Sequence, residues 1–178
     1  LLYASLMELY GNGKVIGIDL NLNQTVESKV MSYPFSSRIV LYKGSSVELG
    51  MFEKIKSHIK SSMKVMVILD SNHTHNHVLE ELKKYAPLVS KGQYLIVSDT
   101  IVEEIPEQSH RPRPWGHGNN PKTALKEYLD TNDRFEEDAY INKKEQIVDF
   151  YNAFQTFNLD KFVTKKNILN KLSLIRRI

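Results

Sequence analysis

The chain has 178 residues, 41% of them hydrophobic and 25% charged, enough for one well-buried core and an ordinary globular balance. Its net charge of +3 is too small to indicate nucleic acid as a partner. The absence of cysteine excludes disulfide scaffolds, thiolate metal sites and cysteine nucleophiles. The longest apolar run, residues 65–69, falls far short of the roughly 20 residues a membrane span needs.

Residues 1–10 read as a helix with no capping side chain before it, and Gly11 and Gly13 supply its stop and a turn. The chain thus opens inside an element, and upstream sequence is expected to precede Leu1 in the complete protein. Residues 14–19 form a short apolar strand ending in Asp19. A polar, helix-compatible stretch over 23–32 follows, then a strand over 38–42. Val47, Met51, Phe52, Ile55 and Ile59 recur at helical spacing. Residues 64–69 carry the strongest strand signal and stop at Asp70. Val78, Leu79, Leu82 and Tyr85 mark the next helical face, and a strand over 93–97 closes with Ser98 and Asp99. Residues 101–120, rich in Pro, Gly, His and Arg, read as a long loop of the kind that forms functional lids. Pro121 starts a helix through Leu129, with Asn119 or Asn120 as its cap. An acidic stretch then precedes a helix over 144–157 and a terminal strand over 172–178.

Apolar strands separated by helices predict βαβ units and a parallel sheet buried on both faces. Ligands bind such sheets at the carboxyl ends of the strands, and three strands here end in acid: Asp19, Asp70 and Asp99. Asp19 is placed as an acid that accepts hydrogen bonds from a ribose diol, although no glycine-rich loop precedes its strand. Asp70 and Asp99 end neighbouring strands, so their carboxylates either converge on a hard cation such as Mg²⁺ or cap the turns that follow. His73, His75 and His77 form a cluster. His73 and His77 at helical i, i+4 spacing would suit zinc together with Asp70, against the plainer reading of surface histidines. Trp115 is either a lid residue stacking on a substrate ring or a plug that anchors its loop. Arg111 and Arg113 either face an acidic substrate group or lie in a solvated loop. The basic residues Lys161, Lys165, Lys166, Lys171, Arg176 and Arg177 either meet an anionic surface or form a solvated face.

The run Val67-Ile68-Leu69-Asp70-Ser71-Asn72-His73-Thr74 continues as His77-Val78-Leu79-Glu80-Glu81-Leu82 and Tyr85-Ala86-Pro87-Leu88-Val89. Together with Gly92-Gln93-Tyr94-Leu95-Ile96-Val97-Ser98-Asp99-Thr100, it resembles the cephalosporin hydroxylase family. Gly17-Ile18-Asp19, Gly44-Ser45-Ser46, Pro114-Trp115 and Asn120-Pro121 match as well, so the resemblance covers residues 1–129. Despite its name, that family is similar to class I S-adenosylmethionine-dependent methyltransferases and includes rhamnosyl O-methyltransferases. The resemblance implies an α/β fold of the class I methyltransferase type, a Rossmann-like three-layer αβα sandwich with a mostly parallel sheet. It implies a single domain over 1–178, with the first strand and glycine-rich loop upstream of Leu1 and a divergent part over 131–178. It places S-adenosylmethionine at the carboxyl edge, with Asp19 on the ribose hydroxyls and Gly44, Ser45 and Ser46 near the adenine. It makes Asp70 and Asp99 ligands of a divalent metal, usually Mg²⁺. Where the family often has an acid before the second of these, this chain has Ser98, a poorer Mg²⁺ ligand. The family closes with a strand hairpin soon after the 135–138 region, whereas here extra residues intervene before 172–178.

The expected function is Mg²⁺-assisted O-methylation of a sugar or glycosylated small molecule. Asp70 and Asp99 would hold the metal that acidifies the acceptor hydroxyl, and His73 would serve as general base. The alternative is a non-catalytic or truncated member with a binding or structural role. A nicotinamide-dependent dehydrogenase rests on fold analogy alone, since the chain lacks Gly-x-Gly-x-x-Gly. The partner is a small-molecule or sugar acceptor, with no nucleic acid and no membrane span, in a cytoplasmic setting. A free sheet edge leaves room for a homo-oligomer.

Overall fold

The computed structural model describes residues 1–104, 106 and 112–138, and the backbone of 172–177. The expected helix over 144–157, Arg111 and the lysines of the basic tail lie outside the described residues. The chain forms two compact units, Leu1–Ile59 and Lys60–Ile178.

In the first unit, α1 (Leu2–Leu9) begins without a side-chain cap. It stops at Gly11, whose φ of +74° is the left-handed conformation that ends helices. Arg38 secures this end by donating to the Glu8 carboxylate and to the Gly13 carbonyl. The strand β1 (Val15–Asp19) pairs in parallel with β2 (Ile39–Lys43), placing Asp19 opposite Lys43. Between them α2 (Gln24–Met31) starts at Asn23, whose side-chain oxygen accepts the Val26 amide at 2.9 Å. The helix α3 (Leu49–Ser57) buries Met51 and Ile55, two of the residues whose spacing predicts it.

In the second unit, β3 (Val67–Leu69) pairs in parallel with β4 (Tyr94–Ser98), joined through α4 (His75–Tyr85). The apolar face that the sequence predicts for α4 is buried in full: Val78, Leu79, Leu82 and Tyr85. Leu82 and Leu95 of β4 are completely enclosed, each contributing about 1.5–3 kcal/mol of apolar burial. After a loop, α5 (Pro121–Asp130) packs on α4 and buries Ala124, Leu125 and Tyr128. The terminal strand β6 (Leu172–Arg177) runs antiparallel between β4 and β5 (Phe135–Glu137), giving the order β3-β4-β6-β5. The strands β5 and β6 pair with Phe135 opposite Arg177, although extra residues separate them in the chain.

Both strand pairs among the four predicted strands are parallel and alternate with helices, as an α/β fold requires. One boundary differs. The run over 64–69 becomes a strand only at Val67, because the Val65 amide donates to Ser90 Oγ at 3.0 Å and its carbonyl accepts the Ser90 amide. Those bonds tie Val65 to a turn instead of to the β4 ladder. No described helix is long and apolar enough to cross a membrane.

Candidate active site

The segment that leaves β3 carries Asp70, and the residue that leaves β4 is Asp99, so parallel pairing alone sets both acids at one sheet edge. Asp99 stands at φ +54°, a left-handed conformation uncommon for residues other than glycine. Its side chain makes no capping bond to the short 3-10 helix that follows. Instead Asp99 Oδ2 lies 2.6 Å from His73 Nε2, and Asp70 Oδ1 lies 3.9 Å from the same nitrogen. Asp70 does not cap α4 either, since Thr74 occupies that position. The capping reading of these two acids is thus set aside. One ligand atom from each of Asp70, His73 and Asp99 falls within 4.8 Å of the others, a spacing that suits a single metal ion.

The burial of the cluster is graded. The His73 side chain is 15% exposed, Asp99 33% and Asp70 63%, so the cluster opens to solvent on the Asp70 side. The hydrogen bond with Asp99 raises the His73 pKa above its ordinary value of 6.5, outweighing the opposing effect of burial. The negative charges of Asp99 and Asp70 add to the rise. His73 Nδ1 is enclosed and has no hydrogen-bond partner among the described residues. Nε2 is the nitrogen that faces both acids.

Trp115 stacks on His73, with ring centroids 5.0 Å apart and planes at 27°, and the Arg113 guanidinium lies 5.2 Å from the tryptophan ring centre. The tryptophan thus anchors its loop to the imidazole, and Arg113, itself exposed, lies over the indole. The turn bearing Trp115 is fastened by Asn119 and Asn120, the two cap candidates, together with Glu103. The Asn120 side-chain amide donates to Glu103 and to the Gly116 carbonyl, and the Gly118 amide donates to Glu103 at 2.8 Å. Asn119 accepts the His75 amide at 2.9 Å and donates to the Pro114 carbonyl. Burial alone would raise the Glu103 pKa, but the Gly118 amide and the Asn120 side chain hold it below its ordinary value. The loop expected over 101–120 thus contains a 3-10 helix (Thr100–Glu103) and a fastened turn. Asn120 is the cap of α5 and takes part in a reciprocal capping box with Thr123.

The three histidines take separate paths. The helix begins after Thr74, as the zinc reading assumed, but His73 precedes it and His77 does not join Asp70 and His73 among the described residues. His75 reaches Thr123 Oγ1 at 2.8 Å and Glu127 at 3.1 Å, tying α4 to α5. His77 Nε2 lies 3.6 Å from Glu81, inside its own helix. Only His73 joins the two strand-ending acids among the described residues.

In the first unit, Asp19 ends β1 exposed, with Oδ1 accepting the Asn21 amide at 2.7 Å. The Gly44 amide donates to the Asp19 carbonyl, so the Gly44-Ser45-Ser46 turn lies at the same strand ends. Gly44 has φ +149°, where a side chain is strained, and an added Cβ would lie 2.7 Å from Met51. Ser45 Oγ accepts the Val47 amide at 3.4 Å. The arrangement offers a carboxylate beside a backbone turn.

The chain matches the "Rhamnosyl O-methyltransferase/CmcI" family over residues 1–168. Rhamnosyl O-methyltransferases of Mycobacterium tuberculosis and Mycobacterium bovis are 31% identical to it over 131 residues. That alignment takes in 72% of this chain and 49% of theirs, so the chain spans about half the length of the curated relatives it matches. A solved structure, the MycE methyltransferase from the mycinamycin biosynthetic pathway in complex with Mg and SAH, is similar with a TM-score of 0.51. It is 13% identical and the likeness covers 97% of this chain and 39% of that one, which bears on the fold alone. The extent of the family match carries the conclusion: this chain belongs to the rhamnosyl O-methyltransferase/CmcI family.

Proposed function

We propose that the complete protein is an S-adenosylmethionine-dependent O-methyltransferase, assisted by Mg²⁺, whose acceptor is a hydroxyl of a sugar or glycosylated small molecule. The observation that carries this reading is the convergence of Asp70, His73 and Asp99 at one sheet edge in a chain of this family. The family match crosses both compact units, which supports assigning them to one methyltransferase domain. A purely structural role would leave two partly exposed carboxylates and an imidazole gathered without a use.

The donor set fits a hard divalent cation. An oxygen of each carboxylate lies within 4.8 Å of the other and close to His73 Nε2, and the cluster opens to solvent, where Mg²⁺ would keep several of its waters. Asp70 and Asp99 would hold the ion. When bound, it would stabilise the alkoxide form of a ligated hydroxyl and compete for the Asp99 oxygen that His73 now engages. Asp19 would accept the ribose hydroxyls of S-adenosylmethionine, with Gly44, Ser45 and Ser46 beside the adenine. The cofactor brings a methyl group already activated on a sulfonium, so the protein has to orient an oxygen and remove its proton.

His73 Nε2 donates to Asp99 in the structure, so it would take that proton only once a bound cation had claimed the Asp99 oxygen. The carboxylates that raise its basicity also stabilise the imidazolium it becomes. Trp115 fixes the plane of the ring by stacking on it. The test is transfer of isotopically labelled methyl from S-adenosylmethionine to a rhamnoside by the complete protein, with Mg²⁺ and with chelator. Labelled ether that disappears with chelator is the expected outcome. Absence of transfer to any sugar hydroxyl by protein that binds the cofactor would overturn the reading.

A further inference from the structure

Glu81 is a buried carboxylate that neither the fold nor the reaction above explains. It lies on the apolar face of α4, three residues after Val78 and four before Tyr85, and is only 2% exposed. Its neighbour Leu82 is completely enclosed. An ionisable side chain is unfavourable there unless it is paired, and an apolar residue of similar size would fill the position without that burden. What Glu81 holds is informative. Its Oε1 accepts the Ser71 hydroxyl at 2.7 Å and lies 3.6 Å from His77 Nε2.

Ser71 is the residue between Asp70 and the Asn72-His73 pair. The segment over 70–73 has left the β3 ladder, which ends at Leu69. Asn72 turns back on the chain by accepting the Thr74 amide at 2.9 Å, and His73 reaches across to Asp99. The Ser71–Glu81 bond is the link that fastens this segment to the interior of α4.

We propose that Glu81, acting through Ser71, is a positioning residue that holds Asp70 in cation-binding geometry and His73 beside it. The proposal rests on the reading of Asp70 and Asp99 as cation ligands. A partner of this kind, one bond removed from a ligand, sets the affinity of a metal site without touching the metal.

The experiment measures Mn²⁺ affinity of this chain by electron paramagnetic resonance, with thermal melting of each variant. Ser71→Ala is expected to weaken Mn²⁺ binding about tenfold in protein that is still folded by its melting curve. Ser71→Thr, which keeps the hydroxyl, is expected to restore most of the affinity. Glu81→Leu is expected to weaken binding about as much while the protein melts no lower than wild type, since burial of a carboxylate is relieved. A merely structural glutamate would show the opposite pattern, with a lower melting temperature and unaltered affinity. Asp70→Asn separates the two readings. If it abolishes binding while Ser71→Ala binds like wild type, the anchor is wrong and the cation site stands. If Asp70→Asn itself binds like wild type, the cation site is wrong and the anchor falls with it.

Discussion

The two sheet edges that carry the candidate residues are organised in different ways. At the β3–β4 edge, charged side chains meet one another: Asp70 and Asp99 flank His73, Trp115 stacks on it, and Glu81 fastens the loop from below. At the β1–β2 edge, Asp19 and the Gly44-Ser45-Ser46 turn are held by short backbone bonds, and the carboxylate remains exposed. Chemistry on a proton needs side chains fixed to within fractions of an ångström, whereas recognition of a ribose needs one accessible acceptor beside a turn. The contrast supports the proposed division, reaction at the first edge and cofactor recognition at the second.

The strongest way to break this assignment is to remove the acids of the β3–β4 edge. Asp70→Asn and Asp99→Asn should each lower methyl transfer by the complete protein more than about 100-fold, beyond the loss typical of residues one bond removed from a metal. The measurement is initial rate against Mg²⁺ concentration. At the other edge, Asp19→Asn should weaken S-adenosylmethionine binding about tenfold, the value of a hydrogen bond to a charged acceptor. Calorimetry should find cation binding by the same variant unchanged. If Asp19→Asn also weakened Mn²⁺, the division of labour between the edges would be wrong.

Smaller effects sharpen the role of the turn that carries Trp115. Asn120→Ala removes the α5 cap together with the bonds to Glu103 and Gly116, and should cost about 1–2 kcal/mol in urea unfolding. Smallest is the pH effect. The folded-state pKa of Glu103 lies below its ordinary value of 4.5, so its contribution to stability is present above that value. It is lost as the pH falls through the depressed folded value. Hydrogen exchange at the Gly118 amide, which donates to Glu103, should therefore lose protection in acid. Glu103→Gln should remove that pH dependence.

Periodicity and turn chemistry made most of the described elements legible, because apolar spacing reports burial directly. The buried face of α4 and the start of α5 at Pro121 both follow the pattern. The convergence of Asp70 and Asp99 was legible as well, since it needs only two adjacent parallel strands that each end in acid. Other features depend on contacts between residues distant in the chain. The Asn120–Glu103 bond spans a loop, and the stacking of Trp115 on His73 depends on how that loop closes. Periodicity carries no information on either. The hidden role of Glu81 had a local signal, a carboxylate on the apolar side of an amphipathic helix, but its partner Ser71 became visible only in three dimensions. The histidine pair of the zinc reading did not form, because His77 turns to Glu81 within its own helix while His73 precedes that helix.

Trp115 is the sole tryptophan of the chain, and it stacks on His73. Its emission therefore reports on the cluster directly, and the measurement to make is its quenching by Co²⁺ in this chain and in Asp70→Asn. Saturable quenching that Mg²⁺ reverses, and that the variant loses, is the predicted result. Quenching that is absent, or that persists unchanged in Asp70→Asn, would contradict a divalent-cation site at Asp70 and Asp99 beside His73.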